Sequence, residues 1–425
     1  TSFDGIEWEK DPSNPLGAIF GGELAAFGAV KTAGGEYFRV EGSLSGPMAE
    51  AGGSGDTVAI PGETFASGAC PMMFTIVDRH LLGRGEDGDD WEDGSGAPSV
   101  VEESDGSFTM YYLTVEDSRH LLGRATGADP FSFVRQGPVT FTESVASGDL
   151  EGVGGPAVLD HGGERLLAFH GWRGTDMAIY ATRGASNSSA SFEPLADGAA
   201  VLEASADGWD GTSVSSPSLV AFDGELWMFY EGTNGAQTAI GAARFDPDSE
   251  TFERVEADGL VFTEGGPGDW DDGWVGDPHV RLIETGEDAG LLELTYTGYD
   301  GLVERFGRAT SVDGISWERH VDDNGVPSPI LGPDSIGFDS DGCFEPFVLE
   351  VDGRPTLWYE GVLGTESPVP RVGMAVERGD QVWVKAYERL QRDDGYVLST
   401  VHGDGETTSS IDLGDGTNMI IDGAI

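Results

Sequence analysis

The sequence predicts an all-β protein, a five-bladed β-propeller, and three observations support this prediction. A short pattern that ends in proline occurs five times along the 425 residues. The intervals between these prolines contain short segments of alternating apolar and polar residues, separated by turns such as Asp-Gly. No interval contains the apolar stripe of a sustained helix. Units of a few short strands that recur at a constant period are typical of propeller blades.

The five prolines are almost evenly spaced. Successive prolines lie 58, 61, 61 and 68 residues apart, and they are Pro98, Pro156, Pro217, Pro278 and Pro346. Because the first strand of each propeller blade lines the central channel, we expect these prolines at equivalent places at the start of the innermost strands. The residues just before them should then lie near the channel mouth, and they are Ala97, Gly155, Ser216, Asp277 and Glu345.

The repeats cover residues 91–386, and both flanking segments differ from them. Residues 1–90 include a copy of the outer-strand motif of the fourth repeat and predict a partial or irregular blade, so six blades remain an alternative. We expect residues 3–9 to close the ring as an outermost strand of a blade built mostly from residues 60–90 or of the last repeat, since an open strand edge invites aggregation. Residues 387–425 are rich in Gly, Asp, Ser and Thr and end in an apolar segment, which predicts a tail or a docking arm for protein assembly.

The charge composition indicates an extreme halophile, with an archaeon as the expected source. The formal net charge is −53, and only three lysines occur, at Lys10, Lys31 and Lys385. Acidic residues are spread over the whole chain, and molar salt screens their mutual repulsion. An ordinary acidic protein is the alternative.

The same composition argues against several classes of partner and cofactor. The chain has no run of Lys and Arg for a nucleic-acid backbone and no apolar stretch long enough for membrane insertion. We predict no cofactor and no zinc site, with Ca²⁺ at the Asp-rich turns as the alternative. Cys70 and Cys343 predict either one disulfide or two buried thiols. The N-terminus lacks a signal-peptide pattern, which leaves a halophile's cytoplasm and a virion or surface assembly as locations.

Two carboxylates occupy equivalent positions in successive repeats. Asp277 and Glu345 each precede a repeat proline, so both should project into one funnel. A pair of carboxylates across a sugar-sized gap is what glycoside hydrolysis requires, with one as the acid and the other as base or nucleophile. The alternative is that these side chains cap turns or pair with an arginine.

Several segments resemble five-bladed glycosidases, the glycoside hydrolases of families 43 and 32 and related propellers. The resemblance covers about residues 91–386 and rests on five motifs, GDPHV at 276–280, FEPFV at 344–348, LWMFYEG at 226–232, LWYEG at 357–361 and GRATSVDGISW at 307–317. Such glycosidases carry a base Asp, a second Asp and an acid Glu in three successive blades. The resemblance thus implies a shifted ring, in which Asp277 matches the base, Glu345 occupies the blade of the second Asp, and the N-terminal region supplies the acid.

Aromatic residues near the channel strands are the candidate substrate-binding residues. Trp209, Trp270 and Phe338 precede three of these strands at matching positions and could stack on a sugar or pack between blades. Trp274 and His279 flank Asp277 and could orient a ligand. Glu231 and Glu360 match each other in second strands, which favours a structural role.

The sequence therefore supports two classes of function, with a carbohydrate as the expected partner. The first, which we predict, is a glycoside hydrolase-like protein that uses the paired carboxylates of the central funnel. The second is a non-catalytic propeller for attachment or assembly on a cell surface or in a virion. The incomplete set of catalytic residues and the apolar tail favour the second class, and a fold by itself does not decide between them.

Overall fold

Short β-strands form almost all of the regular structure of the protein, which is a computed structural model. The chain divides into two compact units, Leu81–Lys385 and a second unit of Thr1–His80 with Ala386–Ile425. No helix among the described residues is long and apolar enough to cross a membrane. The structure describes residues 24–32, 37–43, 74–78, 82, 94–116, 119–130, 132–142, 145, 150–186, 191–286, 288–322, 324–333, 339, 341–351, 353–363, 369–377, 383–385, 388–392, 397–400, 408–412 and 418–422.

The unit Leu81–Lys385 contains five successive groups of four antiparallel strands, which we call blades 1 to 5. The strands of blades 2 and 3 are joined in one ten-stranded sheet. Three strands precede them, β1 (Leu24–Thr32), β2 (Tyr37–Ser43) and β3 (Phe74–Asp78). Blade 1 consists of β4 (Ser95–Glu102), β5 (Phe108–Glu116), β6 (Arg119–Asp129) and β7 (Ser132–Pro138). After β8 (Thr140–Phe141), blade 2 consists of β9 (Gly152–His161), β10 (Glu164–Arg173), β11 (Asp176–Ala185) and β12 (Ser191–Pro194).

The remaining blades repeat this arrangement. Blade 3 consists of β13 (Ser213–Phe222), β14 (Glu225–Thr233), β15 (Thr238–Asp246) and β16 (Thr251–Arg254), and β17 (Leu260–Phe262) pairs with β15. Blade 4 consists of β18 (Trp274–Leu282), β19 (Leu292–Tyr299), β20 (Glu304–Ser311) and β21 (Glu318–Arg319). Blade 5 consists of β22 (Gly342–Val351), β23 (Arg354–Leu363), β24 (Val369–Glu377) and β25 (Trp383–Lys385).

The first strands of the five blades form a closed ring. Strand β4 contacts β9, β9 contacts β13, β13 contacts β18, β18 contacts β22, and β22 contacts β4 again. The predicted all-β propeller is therefore confirmed, and each of the five repeats of the sequence contributes one strand to this ring. The choice between five and six blades stays a prediction. The ring brings residues from distant parts of the chain to one axis.

Each repeat proline lies on a β-bulge of its inner strand. In every blade the pairing between first and second strand shifts by one residue at the proline and the residue before it. Two residues of the inner strand thus oppose one residue of the second strand, which is always aromatic. The five opposing residues are Tyr112, Phe169, Tyr230, Tyr296 and Tyr359. The prolines lie at the fourth or fifth residue of each strand, slightly further in than the expected start.

Buried polar contacts attach the loops before the inner strands to blades 3 and 4. The Tyr296 hydroxyl donates to Asp271 Oδ2 at 2.9 Å, and Arg319 Nε donates to the same oxygen at 3.0 Å. Asp210 receives the corresponding bonds from Tyr230 at 3.1 Å and from the Nε of Arg254 at 2.9 Å. These repeated contacts hold the start of the inner strand in place in blades 3 and 4.

The unit of the two chain termini combines strands from both ends. Its C-terminal strands are β26 (Glu388–Arg392), β27 (Val397–Thr400), β28 (Thr408–Asp412) and β29 (Asn418–Asp422). Strand β3 pairs with β26, and β1 pairs with β29, both antiparallel. The predicted strand at residues 3–9 and Cys70 lie outside the described residues, while Cys343 is buried in blade 5. The predicted boundaries after residues 90 and 386 stay predictions.

Candidate functional site

The residues before the five prolines all adopt left-handed backbone conformations. Their φ angles lie between 43° and 54°, and four of the five are not glycine. The full set is Ala97, Gly155, Ser216, Asp277 and Glu345. Non-glycine residues pay a free-energy cost for this conformation, which persists only where the surrounding contacts hold it. The bulges therefore fix five residues, four of them with side chains, at the innermost edge of the ring.

Side chains from the preceding blade accept the backbone N–H groups of four of these residues. Three of the four acceptors, His170, Glu231 and Glu360, lie on second strands. Each comes directly after the aromatic residue that opposes the bulge of its own blade. The bonds run from Ser216 N to His170 Nδ1 at 3.2 Å, from Asp277 N to Glu231 Oε2 at 3.2 Å, from Ala97 N to Glu360 Oε2 at 3.0 Å, and from Glu345 N to Asp277 Oδ2 at 3.4 Å. Glu231 and Glu360 thus do have a role in joining blades, as their matching positions suggested.

One serine hydroxyl bridges the two predicted catalytic carboxyl groups. Ser216 Oγ lies 3.1 Å from Asp277 Oδ1 and 2.9 Å from Glu345 Oε1. The two carboxyl oxygens are thus separated by no more than the sum of these distances, 6.0 Å. The structure therefore brings Asp277 and Glu345 together, with Ser216 of blade 3 between them.

Burial disfavours the charged forms of all four acidic residues in this group, Glu231, Asp277, Glu345 and Glu360. Desolvation, followed by the charges of Asp277 and Glu360, holds the pKa of Glu345 well above its usual range. Desolvation also raises the pKa of Asp277. Desolvation and the charge of Asp277 raise the pKa of Glu231 to about 8 and that of Glu360 to about 7. At neutral pH the group therefore retains protons that exposed carboxyl groups would lose.

The group is deep and only partly exposed to solvent, and the described residues supply it with no cationic partner. Asp277 is 9% exposed, whereas Glu231, Glu345 and Glu360 are half-buried. Among the described residues, no Lys or Arg forms an ion pair with any of the four. The predicted alternative of an arginine partner is thus absent from this part of the chain.

Two glycines leave room for the carboxyl groups that cross between blades. A Cβ atom at Gly276 would overlap Glu231 Oε2, and one at Gly96 would overlap Glu360 Oε2. Both glycines directly precede a left-handed residue on an inner strand. Close approach, rather than a special φ angle, therefore explains glycine at these two positions.

Trp274 adjoins this group of carboxyl groups. Its ring lies 3.2 Å from a Cβ atom built on Gly276, the position that also contacts Glu231. The indole is half-buried and stacks obliquely on Tyr299, with ring centroids 5.8 Å apart. Of the predicted substrate-binding residues, Trp274 thus lies beside the carboxyl groups with part of its ring still open to solvent.

The other predicted substrate-binding residues lie elsewhere or outside the described chain. Trp209 is buried, stacks on Tyr230 at 5.8 Å and donates its indole N–H to the Asp258 carbonyl. Trp270 stacks on Tyr296 at 5.7 Å. These contacts are of the packing kind that the sequence left open as an alternative to sugar stacking, and Phe338 lies outside the described residues.

His279 joins blade 4 to blade 5. Its Nε2 lies 2.8 Å from the carbonyl oxygen of Val348, and its ring packs on Phe347 with centroids 4.3 Å apart. Burial lowers the pKa of His279 to about 3, so the ring is neutral. Ser218, at the same place in blade 3, likewise bonds to Val280 of the next blade. A contact between blades therefore accounts for His279.

The sequence analysis did not recognise Ser216 and His170 as members of the site. It treated Ser216 only as a small residue at the funnel and did not consider His170. A signal was available, because His170 occupies the same place after the bulge-opposing aromatic residue as Glu231 and Glu360. No group of three or more His, Cys, Asp and Glu side chains in the described part of the chain is arranged to hold a metal ion.

Comparisons with solved structures identify the fold. A structure described as a glycoside hydrolase matches with a TM-score of 0.54 at 17% identity, over 70% of this chain and 91% of its own. A thermostable family-43 glycoside hydrolase matches with a TM-score of 0.53 at 15% identity, over 74% and 96%. The chain has the propeller fold of these glycoside hydrolases. The predicted resemblance is thus confirmed at the level of the fold.

A third structure extends the comparison to another family. It comes from work on the family-130 mannoside phosphorylases, which contain hydrolases that target β-1,2-mannosidic linkages in Candida mannan. It matches with a TM-score of 0.52 at 16% identity, over 76% of this chain and 98% of its own. No family model and no curated protein matches the sequence. Identities this low show a common fold and leave the activity to be argued from the site.

Proposed function

We propose that the protein is a glycoside hydrolase in which Glu345 is the general acid and Asp277 is its ionised partner. The observation that carries the proposal is the pair itself, two carboxyl groups bridged by Ser216 with their facing oxygens at most 6.0 Å apart. The pair lies at the ring of inner strands, and among the described residues no cation neutralises it. The shared fold with glycoside hydrolases supports the same conclusion.

The surroundings of the two carboxyl groups assign their roles. Glu345 faces the charges of Asp277, Glu360 and Glu231, which favour its protonated form. Asp277 accepts hydrogen bonds on both oxygens, from Ser216 Oγ and from Glu345 N, which favours its ionised form. A proton donor beside a fixed negative charge is the arrangement that protonates a leaving oxygen and stabilises an oxocarbenium-like transition state.

The short separation favours a double displacement. Inverting pairs lie about 6.5–9.5 Å apart to admit a water molecule, and retaining pairs about 5–5.5 Å. In the proposed reaction an Asp277 oxygen bonds to the anomeric carbon while the glycosidic C–O bond breaks and Glu345 gives its proton to the leaving oxygen. A water molecule then loses a proton to Glu345 and attacks the anomeric carbon, which releases the sugar and restores Asp277.

The charge of the site selects the class of glycan. A uronate or sulfate group needs a cationic partner, commonly an Arg fork, and none in the described part of the chain bonds to the four acidic residues. Such an anion would instead meet carboxyl groups in a desolvated site, which disfavours its binding. We therefore propose neutral sugars as substrates, with the Trp274 indole as a stacking surface.

Hydrolysis of a panel of neutral oligosaccharides and aryl glycosides in about 3 M KCl tests the proposal. We expect Asp277→Asn to lose activity on all substrates by roughly 10²–10⁴-fold. Glu345→Gln should lose a similar factor on alkyl glycosides but much less on dinitrophenyl glycosides, whose leaving group needs little protonation. Glu225→Gln, at an exposed position of blade 3, is the matched control. Activity that is equal in all four proteins would overturn the proposal.

One observation favours a second candidate, a propeller that binds glycans without cleaving them. Blades 3, 4 and 5 present Ser216, Asp277 and Glu345 in succession, whereas the glycosidases that the sequence resembles carry three carboxylates in successive blades. In the shifted ring that the resemblance implies, Asp277 and Glu345 take the first two places of that set, and the next bulge residue around the ring, Ala97 of blade 1, carries no carboxylate. Saturable binding of a neutral glycan by the unmodified protein, with no product after prolonged incubation, would support this candidate and exclude the hydrolase.

A further inference from the structure

We propose that Ser216 is a positioning residue that keeps the single proton of the Asp277–Glu345 pair on Glu345. The inference rests on the proposed function of that pair and names the group that sets its two roles. Ser216 is 5% exposed and touches both carboxyl groups at hydrogen-bond distance. Ser216 lies in blade 3, and its partners Asp277 and Glu345 come 61 and 129 positions later in the chain.

The single hydrogen of the Ser216 hydroxyl determines which of the two carboxyl groups is protonated. A serine hydroxyl has one hydrogen to donate and lone pairs to accept, and an ionised carboxylate can only accept. Asp277 already accepts Glu345 N on Oδ2, so it is best satisfied as a carboxylate that also accepts the hydrogen of Ser216 on Oδ1. The contact of 2.9 Å between Ser216 Oγ and Glu345 Oε1 then requires a proton on Glu345.

The backbone of Ser216 is held in one conformation beside the two carboxyl groups. Its φ angle of 43° is left-handed, and its N–H donates to His170 Nδ1 at 3.2 Å. Burial, together with the charge of His120, lowers the pKa of His170 to about 4, so this ring is neutral and remains an acceptor. The bulge and the cap thus fix the direction of the Ser216 side chain.

In the described part of the chain, the other titratable groups around the pair are acidic or neutral. Glu231 comes from β14, Glu360 from β23 and Glu304 from β20, and all three have raised pKa values, with burial as the first cause. His170 comes from β10 and is neutral. Burial is the first cause that raises both pKa values, and the charges of Asp277, Glu360 and Glu231 raise that of Glu345 further. Ser216 contacts both carboxyl groups, and the direction of its hydrogen bond adds to this preference for a proton on Glu345.

The bridge also has a consequence for the catalytic cycle. When Glu345 gives its proton to the leaving oxygen, two carboxylates compete for the one hydrogen of Ser216. That state lacks one hydrogen bond and places two negative charges close together. It therefore favours the return of a proton from the attacking water to Glu345.

Replacement of Ser216 by alanine tests this inference without substrate. Alanine occupies the equivalent position in blade 1, Ala97 at a φ of 45°, so Ser216→Ala should fold. Ser216→Gly, which copies Gly155 of blade 2, is a second variant for the same purpose. Ser215→Ala is the matched control, because it removes the neighbouring hydroxyl that donates to Glu231 at 3.3 Å.

The measurement is the infrared titration of carboxyl groups in protein with ¹³C-labelled Asp and Glu. In the unmodified protein we expect two well-separated apparent pKa values for the pair. In Ser216→Ala the lower pKa should rise and the upper pKa should fall, each by about one unit. The reason is that a hydrogen bond to a charged group contributes a free energy equivalent to about one pKa unit. The two limbs of the pH–rate profile should converge equally, and Ser215→Ala should change neither.

The outcomes separate this inference from the proposed function. Converging titrations in a protein without hydrolytic activity would support the role of Ser216 and overturn the hydrolase. Unchanged titrations in both Ser216 variants would overturn the role of Ser216, whatever the activity. The same shift in Ser215→Ala would also overturn it, because the effect would then be one of general packing.

Discussion

The Oε2 atom of Glu231 in blade 3 accepts the backbone N–H of Asp277 in blade 4 at 3.2 Å. Asp277 in turn accepts the N–H of Glu345 in blade 5 at 3.4 Å, and Glu360 of blade 5 accepts that of Ala97 in blade 1 at 3.0 Å. Buried N–H groups need partners, and bulges interrupt the ladder that normally supplies them. The carboxyl groups at the ring of inner strands thus also accept the hydrogen bonds that connect successive blades.

The raised pKa of Glu231 predicts that its protonation affects stability between about pH 4.5 and 8. Within this window the folded protein holds a proton that the unfolded chain has lost. This contribution to stability is therefore complete below about pH 4.5 and is lost as the pH rises through about 8. Glu231→Gln removes the titration, and its carbonyl can still accept the N–H of Asp277.

Thermal unfolding from pH 5 to 8 measures this effect. We expect the unfolding midpoint to fall less steeply with pH in Glu231→Gln than in the unmodified protein. The corresponding slopes of the unfolding free energy should differ by up to about 1.4 kcal/mol per pH unit. Glu225→Gln on the exposed edge of blade 3 serves as the control and should keep the original slope. Parallel curves for all three proteins would contradict the assignment.

Alanine at Gly276 should break the contact between blades 3 and 4. The new Cβ atom would overlap Glu231 Oε2 and displace the acceptor of Asp277 N. Overpacking of this kind costs about 1–3 kcal/mol of unfolding free energy, which denaturant titration can measure. Gly332→Ala is the control, because the nearest atom to its Cβ would be 3.4 Å away. Equal stability of the two variants would show that the carboxyl group moves aside freely.

The repeat of the fold could be predicted from the sequence because one residue type marks it. Proline recurs on the bulge of each inner strand, and its spacing revealed the blades and aligned Asp277 with Glu345. The contacts of Ser216 could not be predicted, since its partners lie 61 and 129 positions away and depend on a left-handed backbone that the sequence does not reveal. Single serines are common, and nothing in the composition distinguishes this one.

The aromatic residues show a second limit of prediction. Trp209 and Trp274 both lie near the start of inner strands, yet only Trp274 adjoins the carboxyl groups. Trp209 instead covers Gly232 in the second strand of its own blade, a close approach that depends on three-dimensional packing.

Trp274 and Trp209 should respond differently to truncation. Trp274→Ala should raise the KM for a neutral oligosaccharide about 5- to 10-fold with little change in unfolding midpoint, since stacking contributes about 1 kcal/mol. Trp209→Ala should lower stability by about 3–5 kcal/mol and leave KM unchanged where the variant is folded. Steady-state kinetics and calorimetry on both variants provide the test, and a larger KM effect for Trp209 would reverse the assignment.

The net charge of −53 predicts that folding requires salt. Self-repulsion in the compact state falls as ions screen it, and at about 1 M salt the screening length is only about 3 Å. We expect the unfolding midpoint to rise steeply between about 0.1 M and 3 M KCl. Sucrose at equal osmolality is the control, because it stabilises without screening charge. A curve that is flat in KCl would contradict adaptation to high salt.

The most direct test of the proposed active site is a crystal structure of Glu345→Gln with a neutral oligosaccharide that the unmodified protein cleaves. The account predicts the sugar at the ring of inner strands, with its glycosidic oxygen at hydrogen-bond distance from the side chain at position 345 and its anomeric carbon facing Asp277. Trp274 should lie against the sugar. An oligosaccharide bound on the outer strands of a blade, or an empty ring beside an occupied second site, would contradict it.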